Sequence, residues 1–170
     1  MNFPKPDEYP EYDSAYMGYI PDSDNIINVL DASRDKLQSL ISSLPEEKGN
    51  YSYAEGKWSI KEVLGHIADV ERVHSYRAMC FARGETKSLP GFEVDDYVEA
   101  ADFNSRSLSS LAAELLSLKN ANIALFKSLD ENTLLKRGTA NNYGFTVRGL
   151  IFAIAGHELH HIQILKERYL

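Results

Sequence analysis

The chain has 170 residues, the length of one domain, with 44% hydrophobic residues and a formal net charge of −7. That acidic balance, with no Lys/Arg cluster, argues against a nucleic-acid partner, since phosphates draw basic surfaces. No apolar run approaches the ~20 residues of a membrane span, which argues against a membrane protein.

One soluble domain over residues 1–170 is therefore expected, built from four long helices and two irregular connections. Residues 1–22 read as an extended arm rich in proline (Pro4, Pro6, Pro10, Pro21) and tyrosine (Tyr9, Tyr12, Tyr16, Tyr19). Proline there opposes helix formation, and the tyrosines can pack on the bundle. A first helix is predicted over 23–43, capped by Ser23 or Asp24, with Ile26, Ile27, Leu30, Leu37, Leu40 and Ile41 inward and Pro45 as its stop. A second is predicted from Ser59 to Arg83. It opens on the capping box Ser59…Glu62, buries Ile60, Val63, Ile67, Val70 and Phe81, and is stopped by Gly84. The long connection that follows holds Leu89-Pro90-Gly91-Phe92 and a short helix near 93–100; such connections are usually packed over a site or functional. A third helix is predicted over 105–129, with Leu108, Leu111, Leu115, Leu118, Leu125 and Phe126 inward. Gly138 and Asn141-Asn142-Tyr143-Gly144 then signal a turn. The fourth helix starts at Val147, capped by Thr146, and runs to the end. No strand pattern is read anywhere in the chain.

The fourth helix carries the chemistry. Val147, Leu150, Ile154, His157, His161 and Ile164 recur at steps of three and four, so two histidines occupy a core-facing seam. At i and i+4 they lie on one face and can grip one metal ion. A buried imidazole left without a partner costs roughly 1–3 kcal/mol, so a metal or hydrogen-bond partner is required.

The run His157-Glu158-Leu159-His160-His161 also reads as the H-E-x-x-H zinc-protease pattern. A catalytic zinc normally takes three protein ligands, here expected downstream. Glu167 is the only carboxylate side chain there, about 600° of helical rotation past His161 and on the opposite face. A peptidase site is excluded on that geometry, and the third ligand must lie upstream. His66 in the second helix, in line with Val63, Val70 and Val73, is the candidate. Asp69, one turn beyond His66, and Glu158 are candidates for a base or for a carboxylate that orients an imidazole. Glu158 is rotated about 100° from His157, so a structural role competes. His160 points off the face of His161 and reads as a neighbouring polar residue. His74, roughly 12 Å along the axis from His66, is too far to share an ion and reads as an ordinary packed or interface histidine. Cys80 allows no internal disulfide, fits a reducing compartment and reads as a small core residue. Glu71, Arg72 and Arg77 read as surface ion-pair partners.

Several stretches together resemble the DinB/YfiT-like metalloenzyme family. They are Glu8-Tyr9-Pro10 through Tyr19-Ile20-Pro21, Lys57-Trp58-Ser59-Ile60-Lys61-Glu62-Val63-Leu64-Gly65-His66, Asp69-Val70-Glu71-Arg72 with Arg77, Leu89-Pro90-Gly91-Phe92, and Val147-Arg148-Gly149-Leu150 leading into Ala155-Gly156-His157-Glu158-Leu159-His160-His161. The resemblance implies an all-α four-helix bundle, often a homodimer, holding one divalent metal on His66, His157 and His161. It implies no particular substrate: relatives include hydrolases and transferases that use a low-molecular-weight thiol. Three imidazoles with an open face suit zinc first and also nickel or another transition metal. A metal-dependent enzyme acting on a small molecule is the leading expectation, and a non-catalytic metal-binding or stress-response bundle the alternative. Residues 1–8 lack the charged-then-apolar layout of a signal peptide, so a cytoplasmic location is expected.

Overall fold

The computed structural model describes residues 1–21 and 25–170. The arm is less extended than its prolines suggest. Single tight turns at Pro6–Glu8 and Glu11–Asp13 lead into a short helix, α1 (Ser14–Met17). Pro6 stands at the start of its turn, where a missing N–H costs nothing.

Helix α2 (Ile26–Ser42) opens on Asn25, whose Oδ1 accepts the Ile27 N–H at 3.0 Å. The expected caps Ser23 and Asp24 lie outside the described residues. Helix α3 (Ile60–Ala82) begins at the predicted capping box: the Ser59 N–H donates to Glu62 at 2.6 Å and the Glu62 N–H donates to Ser59 Oγ at 3.2 Å. Helix α4 (Val94–Ala101) lies in the long connection, as predicted, and α5 (Leu108–Lys127) follows. A one-turn helix, α6 (Glu131–Leu134), precedes a β-hairpin of β1 (Arg137–Ala140) and β2 (Tyr143–Thr146).

The hairpin corrects the expectation of a chain without strands. Its register pairs Arg137 with Thr146 and Ala140 with Tyr143, and both turn residues, Asn141 (φ 49°) and Asn142 (φ 64°), are left-handed. Asparagine tolerates that conformation, and two such residues give the turn whose twist suits a hairpin. The long connection is tied to it, because the Leu89 N–H donates to Thr139 and the Asn141 N–H donates to Leu89.

Helix α7 (Val147–Ile164) ends in a wider turn, Leu165–Tyr169. It packs chiefly on α3, and also on α2 and α1, while α2 pairs with α5. Every residue from Val147 to Glu158 is buried, so α7 is a central helix rather than one with a single apolar stripe. The arm reaches it because two of its residues lack a side chain. A Cβ at Gly149 would sit 2.3 Å from the Glu8 carbonyl oxygen, and one at Gly156 would sit 2.4 Å from that of Tyr16. Apolar packing forms two clusters. One gathers Phe81, Phe126, Phe145 and Phe152; the other gathers Ile60, Leu64, Leu111 and Ile162. Along α7 the boundary falls between Ala155 and Ile162, where His157 and His161 stand.

Candidate metal centre

Helices α3 and α7 bring the three predicted histidines together. His66 Nε2 lies 2.9 Å from His157 Nε2, and His161 Nε2 lies 3.1 Å from His157 Nε2. One ring nitrogen from each residue falls within 4.8 Å of the others. His66 and His157 are buried and His161 is partly buried. Burial lowers all three pKa values: His66 to about 4, His161 to about 3, and His157 well below its ordinary value, with neighbouring imidazoles adding to the effect at His157 and His161. The rings are therefore neutral near pH 7 and carry free lone pairs.

Hydrogen bonding among the rings cannot satisfy this cluster well. His157 Nε2 offers either one N–H or one lone pair, yet two neighbouring nitrogens face it at bonding distance. His161 Nδ1 is buried without a partner. Three neutral nitrogen donors converging from one side fit a divalent transition metal, and the cluster is compatible with metal binding. The Trp58 ring lies 4.7 Å from that of His66, and the Tyr16 ring lies 5.4 Å edge-on from that of His157, so aromatic neighbours limit ring rotation.

The three rings line one end of a cavity of about 360 Å³. The arm (Tyr12, Asp13, Tyr16), α3 (Val70, His74, Arg77), the long connection (Phe92, Val94) and the hairpin turn (Asn141) complete its walls. Neither carboxylate expected beside the metal lines it. Glu158 is 1% exposed and forms an ion pair with Lys119, because the 100° rotation from His157 aims it at α5. Asp69 lies at the surface edge of α3, 3.4 Å from Arg72.

Other readings need correction. His74 is not merely packed, since it lines the cavity with its Nδ1 2.9 Å from the Val70 carbonyl oxygen. Arg77 is buried rather than on the surface, donating from Nη2 to the Pro90 carbonyl at 2.8 Å. Glu71 is also buried, accepting from Lys119 at 2.9 Å and from Asn122 at 3.0 Å. Arg72 does form surface ion pairs, with Asp69 and Glu114. His160 stacks edge-on with Tyr16 and Tyr19, and Cys80 packs at the margin of the core.

The cavity carboxyl that sequence reasoning missed is Asp13. It is 3% exposed, with Oδ2 buried and unpartnered. Burial raises its pKa to about 7, although Arg77 pulls it down. Nothing in the arm's composition marks it, because a turn-forming segment has no periodicity from which a facing direction can be read.

A four-helix bundle with three imidazoles at one end of a cavity defines a class of helical proteins whose histidine cluster is compatible with metal binding. The sequence profile of the DinB superfamily matches residues 29–165, and the chain belongs to this family. A protein of Oceanobacillus iheyensis named as a proposed metal-dependent hydrolase is 24% identical over 148 residues, covering 86% of this chain and 85% of its own. The solved structure of YfiT from Bacillus subtilis, described as a probable metal-dependent hydrolase with an unusual four-helix bundle topology, aligns with a TM-score of 0.79. It does so at 18% identity over 98% of this chain and 91% of that one, and it shares the fold.

Proposed function

We propose that the protein is a metal-dependent hydrolase of small-molecule esters or amides, with His66, His157 and His161 holding one divalent ion, zinc by the chemistry of the donor set. The observation that carries this reading is the approach of three neutral ring nitrogens to within 4.8 Å of one another at the end of a cavity. The names of the two relatives described above support the same class. An ion bound there supplies Lewis acidity toward a carbonyl oxygen and lowers the pKa of water to about 7.

The chain's own groups do the rest. His66, His157 and His161 occupy one side and leave the cavity side open. Trp58, Tyr16 and Phe92 wall the cavity with aromatic surface, which limits bulk water and suits a substrate with an apolar middle. Burial raises the Tyr16 pKa, so its hydroxyl stays protonated and is a donor toward a substrate oxygen. In the overall reaction the water oxygen bonds to the carbonyl carbon, the C–O or C–N bond breaks, and a proton passes to the departing alcohol or amine.

Elemental analysis of untagged protein tests the site: about one equivalent of a divalent transition metal is expected, and His161→Ala should lose most of it. Full metal content in that variant would overturn the ligand set. A panel of esters and amides, with and without added low-molecular-weight thiol, tests the reaction. Turnover that a chelator abolishes and that needs no thiol is expected; strict dependence on thiol would make the protein a transferase.

A further inference from the structure

The cavity has a second polar end. His74 lies eight residues beyond His66 on α3, and Arg77 eleven, a rise of roughly 12 and 16 Å between backbone positions along the helix axis. Asp13 faces this end from the arm, with Oδ2 buried and unpartnered. The Val70 carbonyl can only accept, so His74 Nδ1 carries the proton and Nε2 is left as an acceptor. Arg77 spends one N–H on the Pro90 carbonyl and keeps others of its five N–H groups. The far end thus offers two acceptors, one of them a carboxyl, beside a cationic fork.

Resting on the proposed hydrolase reading for the histidine end, we infer that Asp13, His74 and Arg77 recognise the α-amino-carboxylate head of the substrate, which is therefore an ester or amide of an amino-acid side chain. The ammonium is held between Asp13 and His74, and the carboxylate meets the Arg77 fork. With both head groups engaged at this end, the scissile carbonyl must sit at the other end of the molecule. The aromatic walls take the methylene chain between them. An ammonium would also give the buried Asp13 Oδ2 the hydrogen-bonded partner it lacks.

Binding separates this inference from turnover. L-Norleucine carries both head groups and no scissile bond, whereas hexanoate and pentylamine carry one each. Titration calorimetry on the full chain should show norleucine binding more tightly than either by about tenfold or more. The preference should fall several-fold in the near-isosteric Asp13→Asn variant and in Arg77→Gln, and persist in His161→Ala. Equal binding of the three ligands, no binding of norleucine at millimolar concentration, or an undiminished preference in Asp13→Asn would overturn the proposal. Loss of all hydrolysis with the norleucine preference intact would instead count against the hydrolase reading alone.

Discussion

Gly156 stands directly before the histidine pair because the arm's backbone occupies the space of a side chain. A Cβ there would meet the Tyr16 carbonyl oxygen at 2.4 Å and carbon at 2.8 Å, and these are main-chain atoms that cannot rotate away. Gly156→Ala must therefore push α1 off α7 and carry Tyr16 away from the His157 ring. The expected cost is about 1–3 kcal/mol, read as a lower melting temperature and faster proteolysis of the arm, with metal content largely retained. At this scale the three-histidine cluster was legible and the rest of the cavity was not. The i, i+4 spacing of His157 and His161 and the capping box before His66 fix direction on regular helices. Asp13 lies in a turn, where no such rule applies; Asp69, one turn beyond His66, and Glu158, beside His157, can be placed from sequence only relative to their own helices. One residue of helix is 100° of rotation, enough to aim Glu158 at Lys119 instead.

Helices α3, α5 and α7 each give one seam position to a charged residue at the same level: Glu71, Lys119 and Glu158. Lys119 is 1% exposed, and burial, which would lower its pKa, is outweighed by the two carboxylates, which raise it. Glu158 is raised by burial first, with Lys119 opposing. The cluster ties three helices together only while the ammonium is present. Lys119→Met would leave two carboxyls facing each other in the core, an expected loss of about 3–5 kcal/mol, or roughly 10 °C in melting temperature. The triple change Glu71→Gln, Lys119→Met, Glu158→Gln should recover much of it, since no uncompensated charge remains. The seam was partly visible in sequence: Leu108, Leu111, Leu115, Lys119, Asn122 and Phe126 keep helical spacing straight through the two polar residues. A charged or polar residue at a core position reads as an interruption of the seam in sequence alone, because its partners lie on other helices. The hairpin escaped for a different reason: Gly138 and Gly144 leave its two four-residue strands with little alternation to read.

At the scale of the whole molecule, the four helices were legible because hydrophobic period and caps agree along long segments, whereas the docking of the arm depends on contacts across more than a hundred residues. Glu8 anchors it. Its carboxylate accepts from the Thr146 hydroxyl at 2.8 Å and Arg148 Nε at 2.7 Å, with a second Arg148 bond to the other oxygen. Burial alone would raise the Glu8 pKa, but these bonds and the Lys5 N–H bring it down to about 2. A folded-state pKa below the ordinary 4.5 means stability that is present above pH 4.5 and lost as pH falls toward 2. Asp13, on the same arm, works with the opposite sign. Its pKa is raised by burial from 3.8 to about 7, so the folded state favours the protonated form and its contribution declines as pH rises through that interval. The histidines, lowered by burial, add a loss of their own below pH 6.5, so each acid must be read as a difference from its neutral variant. Glu8→Gln should cost roughly 5 °C in melting temperature at pH 7, with the gap to wild type closing between pH 4.5 and 2. Asp13→Asn should match wild type near pH 4 and exceed it by pH 8. A gap for Glu8→Gln that stays constant with pH would mean its carboxylate is not what clamps the arm, and an Asp13→Asn curve parallel to wild type would mean that the acid titrates in open water.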